Sequence, residues 1–319
     1  MNLELNELSL SIIEEVVESP DHFRIIAHES AGTGLLLDFG VEAEGSLEAG
    51  QVLSTVCMAG LATVNLQPQL LGKWQWPHVV VETDYPVAAC LYSQYAGWQL
   101  SSGKFHAMGS GPMRAAAGVE PLFDKLWYKE EADHVVGILE TAMLPPESIF
   151  EEISAKTGVE PADITLLIAP TSSVAGNYQV AARSVETAMH KLLELGFDVH
   201  RIRSGFGSAP LPPVAANDLQ GIGRTNDAIL YGSTVTLLMT GDDASIAEIL
   251  PQVPSKSSSV FGKTFLEIFE AAGRDFYKID KLLFSPAQVI VQNVDTGRVH
   301  VAGEPHVPLV LKSFGLVAE

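Results

Sequence analysis

Apolar and polar positions follow two rhythms along this chain, one helical and one extended. From Asn6 to Val17 the apolar residues Leu8, Ile12, Ile13, Val16 and Val17 recur every three or four positions and predict a helix. Helices are also predicted over Glu48–Leu61, Pro86–Leu100, residues 112–119, Ser148–Thr157, Asp243–Leu250 and Phe261–Glu270. Val180–Leu195 reads as one helix, with Val180, Val185, Met189 and Leu192 or Leu193 on a shared face. Strands are predicted at Phe23–Ala27, Gly34–Phe39, Val79–Thr83, His134–Glu140 and across the long β-prone run Ala228–Thr240. Ile164–Ala169 is an apolar run that suits a central strand. Val289–Asn293 and Val299–Ala302 flank an Asp-Thr-Gly turn and predict a hairpin. Arg203–Ala216, rich in glycine and proline, predicts irregular chain.

Strands and helices alternate through most of this reading. The expected class is therefore α/β, as mixed α+β layers. Residues 1–319 are expected to form one functional unit of two intertwined α/β subdomains, with a boundary near residues 100–125. Two lobes bridging a large pocket would suit such a chain, and that cleft is where a site is expected.

Composition narrows the picture. Of 319 residues 47% are apolar and only 18% charged, below the usual quarter or so. So apolar a chain suggests surface hidden in a homo-oligomer. The net charge of −20 disfavours nucleic-acid binding, which needs a basic face. The two cysteines, Cys57 and Cys90, have no CxxC or Cys/His spacing, so neither a disulfide framework nor a zinc site is expected. The first residues lack a basic and apolar leader pattern, and no long apolar run suggests a membrane span. A cytoplasmic setting is the expectation.

Three clusters hold candidate chemistry. The run GIGRTNDAILYG, Gly221–Gly232, packs Arg224, Thr225, Asn226 and Asp227 behind two glycines. It suits either a backbone shaped around a ligand or a tight turn with an Asx cap. Arg183 and Glu186, three apart on a predicted helix, share a face away from Val185 and Met189. At that spacing a solvated surface pair is the ordinary alternative. In SGPMRA, Ser110, Gly111 and Arg114 surround a helix start with Pro112 as its first residue, which suits either an anion cradle or a plain helix entry. The nine histidines show no i, i+4 metal pair and read as surface or satisfied core residues. Gly32–Gly40 lacks the third glycine of a dinucleotide loop and reads as a hairpin turn.

Five blocks taken in order carry a resemblance: SGPMRA from Ser110, NYQVAARSVE at Asn177–Glu186, GIGRTNDAILYG, FYKID at Phe276–Asp280 and LFSPA at Leu283–Ala287. Together they resemble the methenyltetrahydromethanopterin cyclohydrolase family, and they span somewhat over half of the chain. The resemblance implies hydrolysis of a cyclic amidinium to a 5-formyl pterin, in one-carbon metabolism, by a trimer that needs no metal or redox cofactor. Arg183 and Glu186 match what look like the family's catalytic pair. Glu186 is then the base that takes a proton from water and returns it to the leaving nitrogen, and Arg183 holds the carboxylate and favours its charged form. Asn226 and Asp227, with Thr225 beside them, are expected along the pterin edge. Ser110, Gly111 and Arg114, with Arg224 as a second candidate, are expected at the anionic tail. Lys278 and Asp280 suggest a local ion pair, and Ser285 a turn. A non-catalytic pterin carrier and an apolar subunit of a larger assembly are the alternative readings.

Overall fold

The computed structural model describes residues 3–28, 33–275 and 278–316. The chain forms two compact units, each built from two separate stretches: 1–62 with 88–179, and 63–87 with 180–319.

The first unit holds a six-stranded mixed sheet. Its centre is parallel: β2 (Leu35–Asp38), β8 (Ile164–Ala169) and β7 (Val135–Glu140). Antiparallel strands flank it, β1 (Ile26–His28) beside β2, and β6 (Phe105–Ser110) then β5 (Trp98–Ser102) beyond β7. All six residues of β8 are buried, because helices cover both faces. Successive side chains point to opposite sides. Leu166 and Ile168 pack with Ile149, Phe150 and Ile153 of α6 (Glu147–Thr157). Leu167 and Ala169 pack with Ile13 and Val16 of α1 (Leu5–Val17) and Leu53 and Val56 of α3 (Leu47–Cys57).

The second unit has its own six-stranded sheet, in the order β12-β11-β10-β9-β4-β3. Here β10 (Thr234–Met239) runs parallel to β11 (Gln288–Asn293), and the other pairings are antiparallel: β12 (Val299–Gly303), β9 (Ile202–Pro210), β4 (Trp74–Thr83) and β3 (Thr63–Leu71). Val235, Leu237, Met239, Val289 and Val291 are buried while their neighbours are half-buried or exposed, so one face of these strands carries most of the packing. α8 (Ser184–Glu194) lies against β9 and β10. α9 (Asp218–Gly232), α11 (Phe265–Ala271) and α12 (Val307–Phe314) share a core of Leu230, Tyr231, Phe265, Val310 and Phe314.

Several elements differ from expectation, each for a physical reason. Arg203–Ala216 is irregular only from Leu211 onward, since β9 runs from Ile202 to Pro210 between β4 and β10. Its glycines serve close packing rather than turns. A Cβ on Gly207 would stand 2.3 Å from Ser184 Oγ, and one on Gly205 2.7 Å from Val185 Cγ1. Gly221–Gly232 is helical in α9, whose start is capped by Asn217 accepting from the Gln220 amide. The run Ala228–Thr240 therefore divides, with helix to Gly232 and strand from Thr234. The helix expected over 86–100 is a π-helix, Val87–Gln94, followed by β5. The single helix expected over 180–195 is interrupted, with α7 (Val174–Ala181) ending two residues before α8 begins. β3 carries polar residues at most of its exposed positions and was not anticipated by any apolar alternation. Lys278 pairs with Asp275, whereas Asp280 caps the short turn after it. Phe276 and Tyr277 of the FYKID block and Gly32 of the expected hairpin turn lie outside the described residues.

Candidate active site

The break between α7 and α8 positions the charged pair. Arg183 sits at the cap position with φ −90° and ψ 12°, and Glu186 lies in the first turn of α8. A carboxylate there faces the positive end of the helix dipole. Arg183 Nη1 stands 3.9 Å from Glu186 Oε2, an ion-pair contact rather than a hydrogen bond. Their side chains are only 9% and 6% exposed, which separates them from the solvated pair that the spacing alone allows.

α8 can carry buried charge because its faces are divided. Val185, Ala188, Met189 and Leu192 are fully buried, and Gly205 and Gly207 let β9 approach Val185 and Ser184 closely. The opposite side holds Arg183, Glu186 and His190, all buried as well. Further along, Lys191 Nζ donates to the Leu282 carbonyl and to Ser257 Oγ, and Lys281 pairs with Glu194. Burial pushes the Lys191 ammonium below its ordinary range, with Asp280 opposing the shift. These contacts tie the carboxyl end of α8 to residues 255–257 and 281–283.

In the first unit, Ser110 ends β6 and lies 3.4 Å from Cys57 Sγ. Gly111 takes φ +86°, and a Cβ there would meet Ile138 Cδ1 at 2.5 Å, so glycine is required twice over. Pro112 is the cap of α4 (Met113–Ala117) rather than its first residue. Arg114 is fully buried. Its Nε donates to Glu120 Oε1 at 2.9 Å, and Nη1 donates to the carbonyls of Leu91 and Ser93 at the end of the π-helix. Its guanidinium also lies 5.1 Å from the Tyr95 ring and 5.3 Å from the Phe123 ring. Burial raises the Glu120 carboxyl, and the charge and hydrogen bond of Arg114 pull it back.

α9 spreads the remaining candidates over two sides. Thr225 Oγ1 donates to the Gly221 carbonyl inside its own helix, and Asn226 Nδ2 donates to Ile222. Arg224 Nη1 donates to the carbonyls of Pro213 and Val214. Asp227 is fully buried and accepts from the Phe265 amide at 2.7 Å, which caps α11. Burial pushes its carboxyl up to about 7, against the hydrogen bonds of Ser313 and Phe265. Arg224 and Asn226 are half-buried, whereas Thr225 and Asp227 are enclosed. Ser285 is buried and donates to the Val253 carbonyl. The burial of Lys191 was not expected, and for His190 the sequence left surface and core positions equally open. The signal the sequence held for His190 was its i, i+4 spacing from Glu186 on a predicted helix.

The chain thus has two α/β units, one of which holds a buried guanidinium and carboxylate at a helix start. The chain belongs to the Cyclohydrolase (MCH) family, whose model matches residues 4–314. It is similar to the methenyltetrahydromethanopterin cyclohydrolase of Methylobacillus flagellatus, at 41% identity over 98% of this chain and 96% of that protein. It is 43% identical to that of Methanocorpusculum labreanum over 98% and 99% of the two chains. With that of Rhodopirellula baltica it shares 44% identity over 88% and 86%.

Proposed function

We propose that this protein is a methenyltetrahydromethanopterin cyclohydrolase, which opens the cyclic amidinium of the 5,10-methenyl compound to the 5-formyl form in one-carbon metabolism. The near-complete match to the family, with Arg183 and Glu186 buried together at the start of α8, carries this reading.

The methenyl carbon is bonded to two nitrogens that share a positive charge, so it is already electrophilic. Its oxidation state does not change, and the chemistry calls for no redox partner. Water attacks this carbon while Glu186 takes a proton from it. The protonated carboxyl then delivers that proton to the arylamine nitrogen as its bond to carbon breaks. Arg183 holds the carboxylate and compensates its charge away from water. A positioned base of this kind contributes roughly 10²–10⁴-fold.

For substrate binding, the reading keeps Asn226 and Arg224, the half-buried polar side chains of α9, along the pterin edge and an anionic group. Ser110 and Gly111 are kept for the anionic tail. Arg114, Thr225 and Asp227 enter through the segments they hold, since each is fully buried and bonds to this chain. Assembly into a homo-oligomer, with three copies as the resemblance implies, also belongs to the proposal. Val299 and Val301, both about 60% exposed on the edge strand β12, support it. A monomer mass by light scattering would remove that part. No helix among the described residues is long and apolar enough to cross a membrane; a cytoplasmic setting is part of the proposal.

The test follows the methenyl absorbance on mixing the protein with 5,10-methenyltetrahydromethanopterin. Ring opening abolishes that absorbance. Glu186→Gln is expected to lose nearly all turnover while binding stays within about tenfold. Tight binding by the parent protein with no absorbance loss would instead identify a carrier, and full turnover by Glu186→Gln would remove Glu186 from the mechanism.

A further inference from the structure

The proton balance of the reaction leaves one proton unassigned. A cation and a water enter; a neutral formyl compound and a proton leave. The first hydrogen of water goes to Glu186 and then to the leaving nitrogen. The second remains on the hydroxyl of the tetrahedral intermediate and must depart as that hydroxyl becomes the carbonyl. Glu186, ionised again after its delivery, is placed to take it, and it must then be discharged before another water can be activated. Arg183 already carries its full set of protons and cannot accept one.

His190 lies one turn beyond Glu186 on α8, at the i, i+4 spacing that brings side chains together. In helical projection it falls between Arg183 and Glu186, roughly 150° from the centre of the Val185, Ala188, Met189 and Leu192 face. Arg183, Glu186 and His190 are 7%, 4% and 7% exposed. The other charged groups of α8 are engaged elsewhere, Lys191 with Leu282 and Ser257, and Glu194 with Lys281. Against α8, β9 presents Gly205 and Gly207. An imidazole is the side chain suited to accept and release a proton near neutrality.

We infer that His190 is the positioning residue that relieves Glu186 of the second proton and passes it toward solvent, restoring the carboxylate for the next turnover. The inference rests on the reading of Glu186 given above. In reverse, the same imidazole supplies the proton that ring closure consumes.

The test uses the full chain and separates the first turnover from steady state by rapid mixing with the methenyl substrate. His190→Gln and the smaller His190→Asn are expected to open the first equivalent at a rate within about threefold of the parent, then to turn over about tenfold or more slowly, with KM falling alongside kcat so that kcat/KM is little changed. A residue that only shapes the fold would lower both phases together. Deuterium oxide should slow the parent's steady state more than its first turnover. The inference is overturned if both variants keep steady-state turnover within about twofold of the parent, if they lose both phases equally, or if deuterium oxide slows both phases of the parent alike. Glu186→Gln is expected to lose both phases, and retention of its first turnover would sink the reading of Glu186 itself.

Discussion

Gly207→Ala tests how α8 is held. The added Cβ would stand 2.3 Å from Ser184 Oγ, 3.2 Å from Ser184 Cβ and 2.8 Å from Val185 Cγ2, where ordinary contact begins near 3.4 Å. The shortfall, 3.4 less 2.3, is about 1 Å. The short Ser184 side chain is fully buried at the first position of α8, so it has little room to swing aside. The start of the helix must therefore retreat, and Arg183 and Glu186 move with it. Overpacking of this size costs about 1–3 kcal/mol. If Glu186 is the base proposed above, a displacement of that order costs roughly 100-fold in rate. Gly205→Ala makes the paired comparison, because its nearest obstacle is a Val185 methyl at 2.7 Å, with Leu237 Cδ2 next at 3.5 Å. Urea unfolding measures the stability change, and loss of methenyl absorbance measures turnover. Gly207→Ala is expected to lose far more activity than Gly205→Ala at comparable stability. If Gly207→Ala keeps the parent's kcat, contact with β9 does not place Arg183 and Glu186 for the proposed reaction.

Two further outcomes follow from the buried charges. Arg114→Met strands Glu120 without its cation and leaves the Leu91 and Ser93 carbonyls short of a donor, which should cost about 3–5 kcal/mol in urea unfolding; Arg114→Met with Glu120→Leu should regain much of that loss, and a double variant no better than the single would count against the pair. Asp227 has a folded-state pKa raised from 3.8 to about 7, so the folded chain holds its proton more tightly than the unfolded one. The stability from this group is full below pH 3.8 and is lost as pH rises through about 7. Asp227→Asn should flatten the fall in stability across that window, by at most about 1.4 kcal/mol per pH unit. Parallel stability curves for parent and variant would refute the assignment.

What could be read from the sequence was whatever one local pattern decides. The helical stripe of α1, the apolar run of β8 and the β11–β12 hairpin follow from spacing and turn chemistry, and the structure has all three. β9 was unreadable because glycine and proline normally break strands. Here Gly205 and Gly207 are used for the space they leave beside α8, and partner strands on both sides supply the ladder bonds. α9 was unreadable for the converse reason. Its polar cluster looks like loop chemistry, but Thr225 and Asn226 turn their side chains back onto their own helix and Asp227 caps a neighbouring one. No local rule announces a π-helix, whose closing carbonyls depend on an arginine more than twenty residues away in sequence.

The candidate site divides along the same line. Periodicity placed Arg183 and Glu186 on one face of a helix but said nothing of whether water reaches it. A helix that served only to cover a sheet would bury the Val185–Met189 side and leave its charges in solvent. α8 buries both sides, so it encloses two opposite charges and an imidazole within one stripe. Away from water, a carboxylate and a guanidinium interact more strongly than at a surface, and each must be compensated by its surroundings. That makes the stripe costly as scaffold, which is the physical ground for the proposed role of Glu186. Coverage of the second face, a tertiary property invisible to spacing, is what sets this charge pair apart from an ordinary solvated one.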